Sequence, residues 1–595
     1  MGASAGAAIT GSSNTAIGYN AMLEAQGAVN SNTAVGSGSL QNITTGQENV
    51  AVGQGAAASL TTGRTNVAIG REALYFGTTE TDHNVAIGGN CMAGNFGVAA
   101  VNDCVAVGES ALNAVLTAAA SGSVAVGKDA LGALTSGAGN TAIGYEAGKV
   151  ATDNSRNTVI GYGAFIESTS SDDNVVIGYH ALRNAGSAGA NSEKNIAIGS
   201  YALDGADGGE ANNMAIGYGA MGDLNNSSAT RNIAIGNNAA DGMGSGLVHV
   251  DNVFLGYDAG GGTWANNLSS SNVGIGSYVM DAAMDGALNN TGVGYGALGA
   301  LTEGLSNTIV GGGSGGTISD GSYNTSLGQI TLTANNADNN TAIGYGALTS
   351  ANSAHNTAVG SQALWHMTSG SENTALGRRA GRYYWNGSAD AALATTTNGV
   401  YIGDMTRANA DSMTNEIVIG ASSIGSGSYT TTIGSGNVFK FASKQYTCDH
   451  ADGEDGKSAA SEAAPLKLPA YSIIKSISVT VDQLSNLGTF NVALYHSTDT
   501  AAPADDTALG GTPVEVLGAG ASDTCSGNSA SAVDIALGSG TVVKQSYYNG
   551  FGGAGLPVGT ADRYIHVGQS GTSNGTTDPS TAGLISVLVE YVGLD

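Results

Sequence analysis

The sequence predicts an all-β protein in which a parallel β-solenoid of about 24 short coils precedes an antiparallel β-sandwich domain. Three observations predict this fold class. A five-residue phrase of the type Asn-Thr-Ala-Ile-Gly recurs through the first three quarters of the chain. Glycine supplies 94 of the 595 residues, roughly twice its usual share. All six prolines follow the last repeat, and proline is excluded from stacked parallel strands because it removes a ladder hydrogen bond.

The repeat defines the domain organisation. Nineteen clear copies and five degenerate ones make 24, and 17 residues is the commonest step between them. Such a unit is too small to bury a core alone, so the copies are expected to stack. We predict an N-terminal lead-in over residues 1–12, a repetitive β-solenoid shaft over 13–436, a linker over 437–466 and the C-terminal β-sandwich domain over 467–595.

Each five-residue phrase predicts one short strand and a corner. Positions two and four are mostly Thr, Val or Ile, and we expect them to face the interior, because alternate side chains share one face of a strand. The glycine at position five predicts a corner with positive φ. Stacked coils would pair each strand with the turns above and below and would align the asparagines at position one in a ladder. The predicted repeat core includes Ile17, Gly18, Ile69, Gly70, Ile143, Gly144, Ile198, Gly199, Ile343 and Gly344.

The residue at position three is usually Ala, so the second strand face is small. Two interpretations are open. The alanines pack within one coil, between its two sides, or they pack against further copies of the chain around a threefold axis. We favour the second interpretation, which predicts a homotrimer. At about 4.8 Å per turn, 24 turns would give a rod of very roughly 115 Å.

The phrase Asn-Thr-Ala-Ile-Gly-Tyr-Gly-Ala-Leu at 340–348 resembles the repeats of trimeric autotransporter adhesin heads and of related phage tail-fibre proteins. The resemblance covers about residues 12–436 and implies a left-handed parallel β-roll built from three chains. The repeat is somewhat longer than in the bacterial adhesins. The sequence also shows no signal peptide, no heptad stalk and no membrane-anchoring barrel, which favours a phage fibre.

Beyond residue 440 the pattern changes to longer alternating segments. Apolar and polar residues alternate around 476–481 and 490–494, as in half-buried strands. Further strand candidates lie at 512–517, 531–537, 540–548, 563–569 and 583–592. About seven strands separated by Gly, Pro and Asp predict an antiparallel sandwich, which would also cover the open edge of the solenoid.

Charge and composition exclude several function classes. The formal net charge of −28, from 19 basic and 47 acidic residues, repels phosphate backbones, so we expect no nucleic-acid partner. No run of 18 apolar residues occurs, so we expect no membrane insertion. Cys91 and Cys104 fall at different repeat positions and are expected to stay free. Cys448 and Cys525 could pair, although a cytosolic origin favours thiols.

No GxSxG, HExxH, P-loop or paired-carboxylate motif stands out in the sequence, so we predict neither enzyme activity nor a cofactor. An acidic run after the shaft is a weak Ca²⁺ candidate that does not match the EF-hand pattern, and a solvated linker is the favoured alternative. That run comprises Asp449, Asp452, Glu454 and Asp455.

The clearest candidate for receptor binding is an unusual cluster of arginines and aromatic residues. It lies in the longest step between repeats, 26 residues from Gly377 to Gly403, and must therefore bulge. Exposed aromatic rings beside Arg suit sugar stacking and anion contact. The favoured alternative is a packing plug or an anchor between chains. The candidate residues are Arg378, Arg379, Arg382, Tyr383, Tyr384 and Trp385.

Together these features predict a structural virion fibre of tail or capsid. It would form a trimeric rod that presents the C-terminal domain for host attachment. The expected partners are two further copies of the chain, other virion proteins at the base, and a glycan or protein of the host surface. Two alternatives remain: a non-phage extracellular adhesin or surface filament, and a glycan-degrading tailspike.

Overall fold

A computed structural model describes residues 3–434, apart from 78–79, 97–98, 187–190, 226–227, 245–247, 265–266 and 335. Beyond residue 434 it describes the backbone of the strands alone. The chain divides into two units, Met1–Asn336 and Ala337–Asp595.

The first unit contains one three-residue strand per coil and a single short 3₁₀ helix, Ala118–Ala120, among its described residues. The strands are β1 (Thr15–Ile17), β2 (Thr33–Val35), β3 (Val50–Val52), β4 (Val67–Ile69), β5 (Val85–Ile87), β6 (Val105–Val107), β7 (Val124–Val126), β8 (Thr141–Ile143), β9 (Thr158–Ile160), β10 (Val175–Ile177), β11 (Ile196–Ile198), β12 (Met214–Ile216), β13 (Ile233–Ile235), β14 (Val253–Leu255), β15 (Val273–Ile275), β16 (Thr291–Val293), β17 (Thr308–Val310) and β18 (Thr325–Leu327).

Consecutive strands pair in parallel and in register, which confirms the predicted solenoid. In β11 and β12, for example, Ile196 lies beside Met214 and Ile198 beside Ile216. Backbone hydrogen bonds tie one coil to the next, as where the Gly217 N–H donates to the Ile198 carbonyl at 2.8 Å. Each strand thus satisfies its backbone groups through its neighbours.

The prediction that the Ile face of the strand points inward is wrong. The central residue of the strand, such as Ala197, is fully buried, whereas Ile17, Ile69 and Ile143 are 51%, 37% and 39% exposed. Ile198 and Ile343 are half-buried on the same outer face. The alanines therefore pack within one coil, and the interpretation that they face other copies of the chain is also wrong.

The narrow interior of the coil explains this reversal. Side chains from the opposite side of the coil already fill the space under the central strand position. A Cβ added at Gly292, which occupies that position in β16, would lie 2.9 Å from Val279 Cγ2 and 3.1 Å from Met280 Cε. A larger residue would displace these side chains, because interiors are close-packed. Where one does occupy the position, as Phe254 does in β14, it lies against Gly260 and Gly274, which leave room for its ring.

The second side of each coil is made of turns rather than a strand. In the coil that follows β11, Tyr201 has a φ of 60° and Leu203 a φ of 52°. Alternate residues in the left-handed region prevent an extended strand. Ala202 and Leu203 nevertheless point into the core and are fully buried.

The predicted glycine corners are confirmed. Gly199 has a φ of 135°, and a Cβ there would lie 2.2 Å from the carbonyl oxygen of Gly217 in the next coil. A side chain is excluded because the stacked corners approach one another through their backbones. Gly18, Gly70, Gly144 and Gly344 also have positive φ and meet the backbone of the following corner.

The predicted asparagine ladder is also present. Asn49 donates its backbone N–H to Asn32 Oδ1 at 3.0 Å, and its Nδ2 donates to Asn32 Oδ1 at 3.1 Å and to the Gly63 carbonyl at 2.8 Å. The side chain is buried. Each amide therefore satisfies polar groups of two neighbouring coils, which a buried ladder requires.

The second unit begins with further parallel coils. Their strands are β19 (Thr341–Ile343), β20 (Thr357–Val359), β21 (Thr374–Leu376), β24 (Val400–Ile402), β26 (Ile417–Ile419) and β27 (Thr430–Ile433), which pair in this order. A small separate sheet is formed by β22 (Tyr383–Trp385), β23 (Asp390–Ala392) and β25 (Arg407–Ala408).

Antiparallel pairing replaces the parallel stack after β27. The remaining strands are β28 (Phe439–Cys448), β29 (Leu466–Leu468), β30 (Ser472–Gln483), β31 (Phe490–Ser497), β32 (Val514–Glu515), β33 (Asp534–Ile535), β34 (Lys544–Tyr547), β35 (Leu556–Pro557), β36 (Arg563–Gln569) and β37 (Gly583–Gly593). β37 pairs with both β28 and β30, and β36 pairs with β29 and β31, all antiparallel.

Candidate binding site

The segment from Arg378 to Trp385 leads into a hairpin beside the parallel stack, so the predicted bulge is present. Tyr383–Trp385 pairs antiparallel with Asp390–Ala392, and Tyr383 also lies beside Arg407 in a parallel pairing. At the turn, Asn386 Oδ1 accepts hydrogen bonds from the backbone N–H of Ser388 at 3.0 Å and of Ala389 at 2.8 Å. A side chain that caps its own turn is a common use of Asn.

Two contacts hold the hairpin against the coils. Leu393, directly after β23, is fully buried. Arg407 makes a two-pronged ion pair with Asp390, with Nε to Oδ1 at 2.6 Å and Nη2 to Oδ2 at 3.1 Å. A bidentate pair of this kind fixes orientation as well as adding energy.

The three predicted arginines have different environments. Arg378 Nη2 donates to Asp404 Oδ2 at 3.0 Å. Arg379 Nε donates to Gln362 Oε1 at 3.1 Å, and Arg382 Nη1 donates to the same oxygen. The structure therefore brings Arg379 and Arg382 together, whereas Arg378 is paired with a carboxylate.

Aromatic rings enclose Arg382. Its Cζ lies 5.2 Å from the ring centroid of Trp365 and 4.8 Å from that of Tyr383. Distances below about 6 Å are typical of cation–π contacts. Tyr345 extends the cluster, with its ring centroid 6.0 Å from that of Trp365.

The outer aromatic residues remain accessible. Trp385 is 38% exposed, and Tyr384 is half-buried. His366 lies beside Tyr383, with ring centroids 5.7 Å apart. Burial and the charge of Arg382 lower the pKa of His366, so the arginines carry the positive charge of the site at neutral pH.

Three further residues of the site, Gln362, Trp365 and His366, were not predicted from the sequence and belong to the preceding coil. Gln362 is 17 residues before Arg379, the commonest repeat step. Stacking places residues one step apart side by side. Applying that offset to the predicted segment would have identified Gln362 and Trp365.

The acidic run Asp449, Asp452, Glu454 and Asp455 lies outside the described residues, as does Cys525. Among the residues that the structure describes, no group of three or more His, Cys, Asp or Glu side chains could hold a metal ion. Cys91 and Cys104 are buried free thiols, and burial raises the pKa of both. No helix in the described part of the chain is long and apolar enough to cross a membrane.

Comparison with protein-family models, with curated proteins and with solved structures found no match.

Proposed function

We propose that the protein is a structural fibre of a virion, in which three copies assemble into a rod that attaches to a host surface. The observation that carries this proposal is the outer face of the strands. In the first unit, positions two and four of all eighteen strands are apolar or threonine, and none is charged. The exposed members include Ile17, Val52, Ile69, Ile87, Ile143, Ile275 and Leu327.

This outer stripe is too long to suit a monomer. Eighteen coils at about 4.8 Å each make a stripe roughly 85 Å long, and at a width of about 8 Å its footprint is roughly 700 Å². Seven of its thirty-six residues are threonine and the rest are apolar. Monomeric soluble proteins rarely expose a contiguous apolar patch larger than a few hundred Å². The absence of charge also contrasts with a chain whose net charge is −28.

Two further copies of the same chain are the partners that best fit the stripe. A second copy repeats the same coil spacing, so apolar side chains meet at every level along the axis. Each stripe is only three residues wide, which lets three copies bring their stripes together at one axis. The carboxylates on the other faces would stay in water and keep the assembly soluble.

The antiparallel strands after β27 fit a terminal β-sandwich domain that covers the last coil. In this proposal the shaft carries both the C-terminal domain and the hairpin formed by Tyr383–Trp385 and Asp390–Ala392. Three copies then raise the effective concentration for a surface that presents repeated receptors. Labelling purified particles with antibodies against the chain, viewed by electron microscopy, would separate a virion fibre from a cellular adhesin or filament.

The assembly is tested by sedimentation of the full chain. We expect three times the chain mass of 58.4 kDa. The triple variant Ile198→Asp, Ile216→Asp and Ile235→Asp should sediment as a monomer that keeps its β-structure, because the three positions face outward. The control triple variant is Asn212→Asp, Asn225→Asp and Asn237→Asp, which adds the same charge at exposed positions.

The control should remain trimeric. If the wild-type chain sediments as a monomer, or if both triple variants assemble equally well, the stripe is not the interface and the proposal is wrong.

A further inference from the structure

Arg379 and Arg382 form a pair of positive charges that no described carboxylate neutralises. Two neighbouring arginines are paired: Arg378 binds the carboxylate of Asp404, and Arg407 binds that of Asp390. Arg379 and Arg382 instead share one neutral oxygen of Gln362. No described carboxylate lies within ion-pair distance of either guanidinium, although acidic residues outnumber basic ones 47 to 19.

The two guanidinium groups keep unused donors. Each guanidinium has five N–H donors in a planar fork. Arg379 uses Nε and Arg382 uses Nη1, while Arg382 Nε is buried without a partner among the described residues. A carboxylate offers two oxygens in the geometry that such a fork recognises.

The aromatic residues beside this pair form a stacking surface. Tyr383 and Trp385 lie two positions apart on one strand, so they share a face of the hairpin and are spaced by about 6.6 Å. Tyr383 contacts Arg382 directly, and Trp385 is exposed at the outer end. An aromatic platform next to cations suits a sugar ring that carries an acidic group.

The platform is rigid before any ligand arrives. The ion pair between Arg407 and Asp390, the burial of Leu393 and the pairing of β22 with β25 fix the hairpin. Trp365 and Tyr383 hold Arg382 between them. Little conformational freedom is lost on binding, which favours affinity.

We propose that this cluster binds a carboxylated sugar residue of a surface polysaccharide. The carboxylate would contact Arg379 and Arg382, and the sugar ring would stack on Trp385. This inference rests on the proposed attachment function and names the chemical class of its receptor.

The test is calorimetric titration of the full chain with a tetrasaccharide of galacturonic acid and with its methyl ester, which has the same rings without the charge. We expect the acid to bind at least tenfold more tightly than the ester. Binding of the acid should weaken as salt is added, because the contacts are charged and partly exposed.

Two variants locate the site. The double variant Arg379→Gln and Arg382→Gln should weaken acid binding at least tenfold, and Trp385→Ala should weaken binding of both acid and ester. Arg231→Gln is the control for the loss of a positive charge, since Arg231 lies in the first unit and pairs with Asp251. It should bind like the wild type.

Equal binding of acid and ester, or an unchanged affinity in the double variant, would overturn the inference. So would the absence of any binding at millimolar concentrations. These outcomes are distinct from failure of the proposed fibre, because sedimentation of the same samples reports the trimer independently of the sugar.

Discussion

The corner after β5 offers a direct test of the stacked architecture, because two adjacent glycines there have opposite environments. Gly88 has a φ of 139°, and a Cβ on it would lie 2.4 Å from the carbonyl oxygen of Gly108 and 2.6 Å from its carbonyl carbon. A Cβ on Gly89 would meet nothing within 4 Å. We therefore compare Gly88→Ala with Gly89→Ala, which add the same methyl group at neighbouring positions.

The expected cost of Gly88→Ala follows from the backbone strain and the clash. A non-glycine residue held in this region of φ costs about 1–3 kcal/mol. The clash with Gly108 is with backbone and not with a flexible side chain, so the two coils must separate. That separation lengthens ladder bonds such as the 2.7 Å bond from the Gly108 N–H to the Ile87 carbonyl, each worth about 1 kcal/mol. We expect a total loss of about 4 kcal/mol.

Urea unfolding measures the loss for the whole chain, and amide hydrogen exchange of peptides across 85–108 locates it. Protection in this region should fall in Gly88→Ala and stay at the wild-type level in Gly89→Ala. The stacked-corner geometry would be refuted if the two variants had equal unfolding free energies and equal protection.

Two further predictions concern buried polar groups. Asn195→Ala removes the acceptor for the Asn213 N–H, at 2.9 Å, and the Nδ2 donor to the Glu210 carbonyl, also at 2.9 Å. Leaving these buried groups unpaired should cost about 3 kcal/mol of unfolding free energy. The control Asn352→Ala, at an exposed position, should change the urea midpoint little. Burial raises the pKa of Glu416 from 4.5 to about 7, so the folded chain holds a proton that the unfolded chain releases. Its stabilising contribution is present below pH 4.5 and is lost as the pH rises through 7, by roughly 3 kcal/mol. Relative to Glu416→Gln, the wild type should therefore lose stability in urea unfolding between pH 5 and pH 8, and the opposite slope would contradict the assignment.

The stacked coils, the corners and the asparagine ladder were predictable because each rests on a residue with one suitable physical property. Glycine alone tolerates the close backbone approach at Gly199. Asparagine both donates and accepts, so the Asn49 amide donates to Asn32 in the preceding coil and accepts from the Asn66 N–H in the following one. These requirements act within one or two repeats, and the sequence displays them directly.

The direction of the strand faces could not be predicted from alternation alone. Alternation separates two faces but does not say which one is interior, and by hydrophobicity alone the larger side chains are expected to form the core. Which face points inward depends on the volume of the side chains on the opposite side of the coil. At Gly292, for example, Val279 and Met280 already fill the coil. In most coils the inward residue is Ala, as at Ala197, and the Ile and Val rows lie outward.

Only part of the candidate site was predictable from the sequence. The segment around Arg382 is distinguished by its arginines and aromatic residues, which the sequence shows directly, but its environment depends on the coil before it. Gln362 and Trp365 reach Arg382 because stacking aligns residues about one repeat apart. A motif scan along the sequence treats these positions as distant, whereas the solenoid makes them neighbours.

The reversed strand face also changes what would hold the proposed fibre together. With alanine inside, the stacked coils of one chain bury their small side chains among themselves, so a single chain can keep its coils while its Ile and Val rows lie in water. In the proposed fibre, assembly would then bury these rows in a second step. Charged substitutions at Ile198, Ile216 and Ile235 should consequently prevent assembly without unfolding the coils. A charge at Ala197 should instead unfold the coil itself, because that position is fully buried and an unpaired charge there would be removed from water.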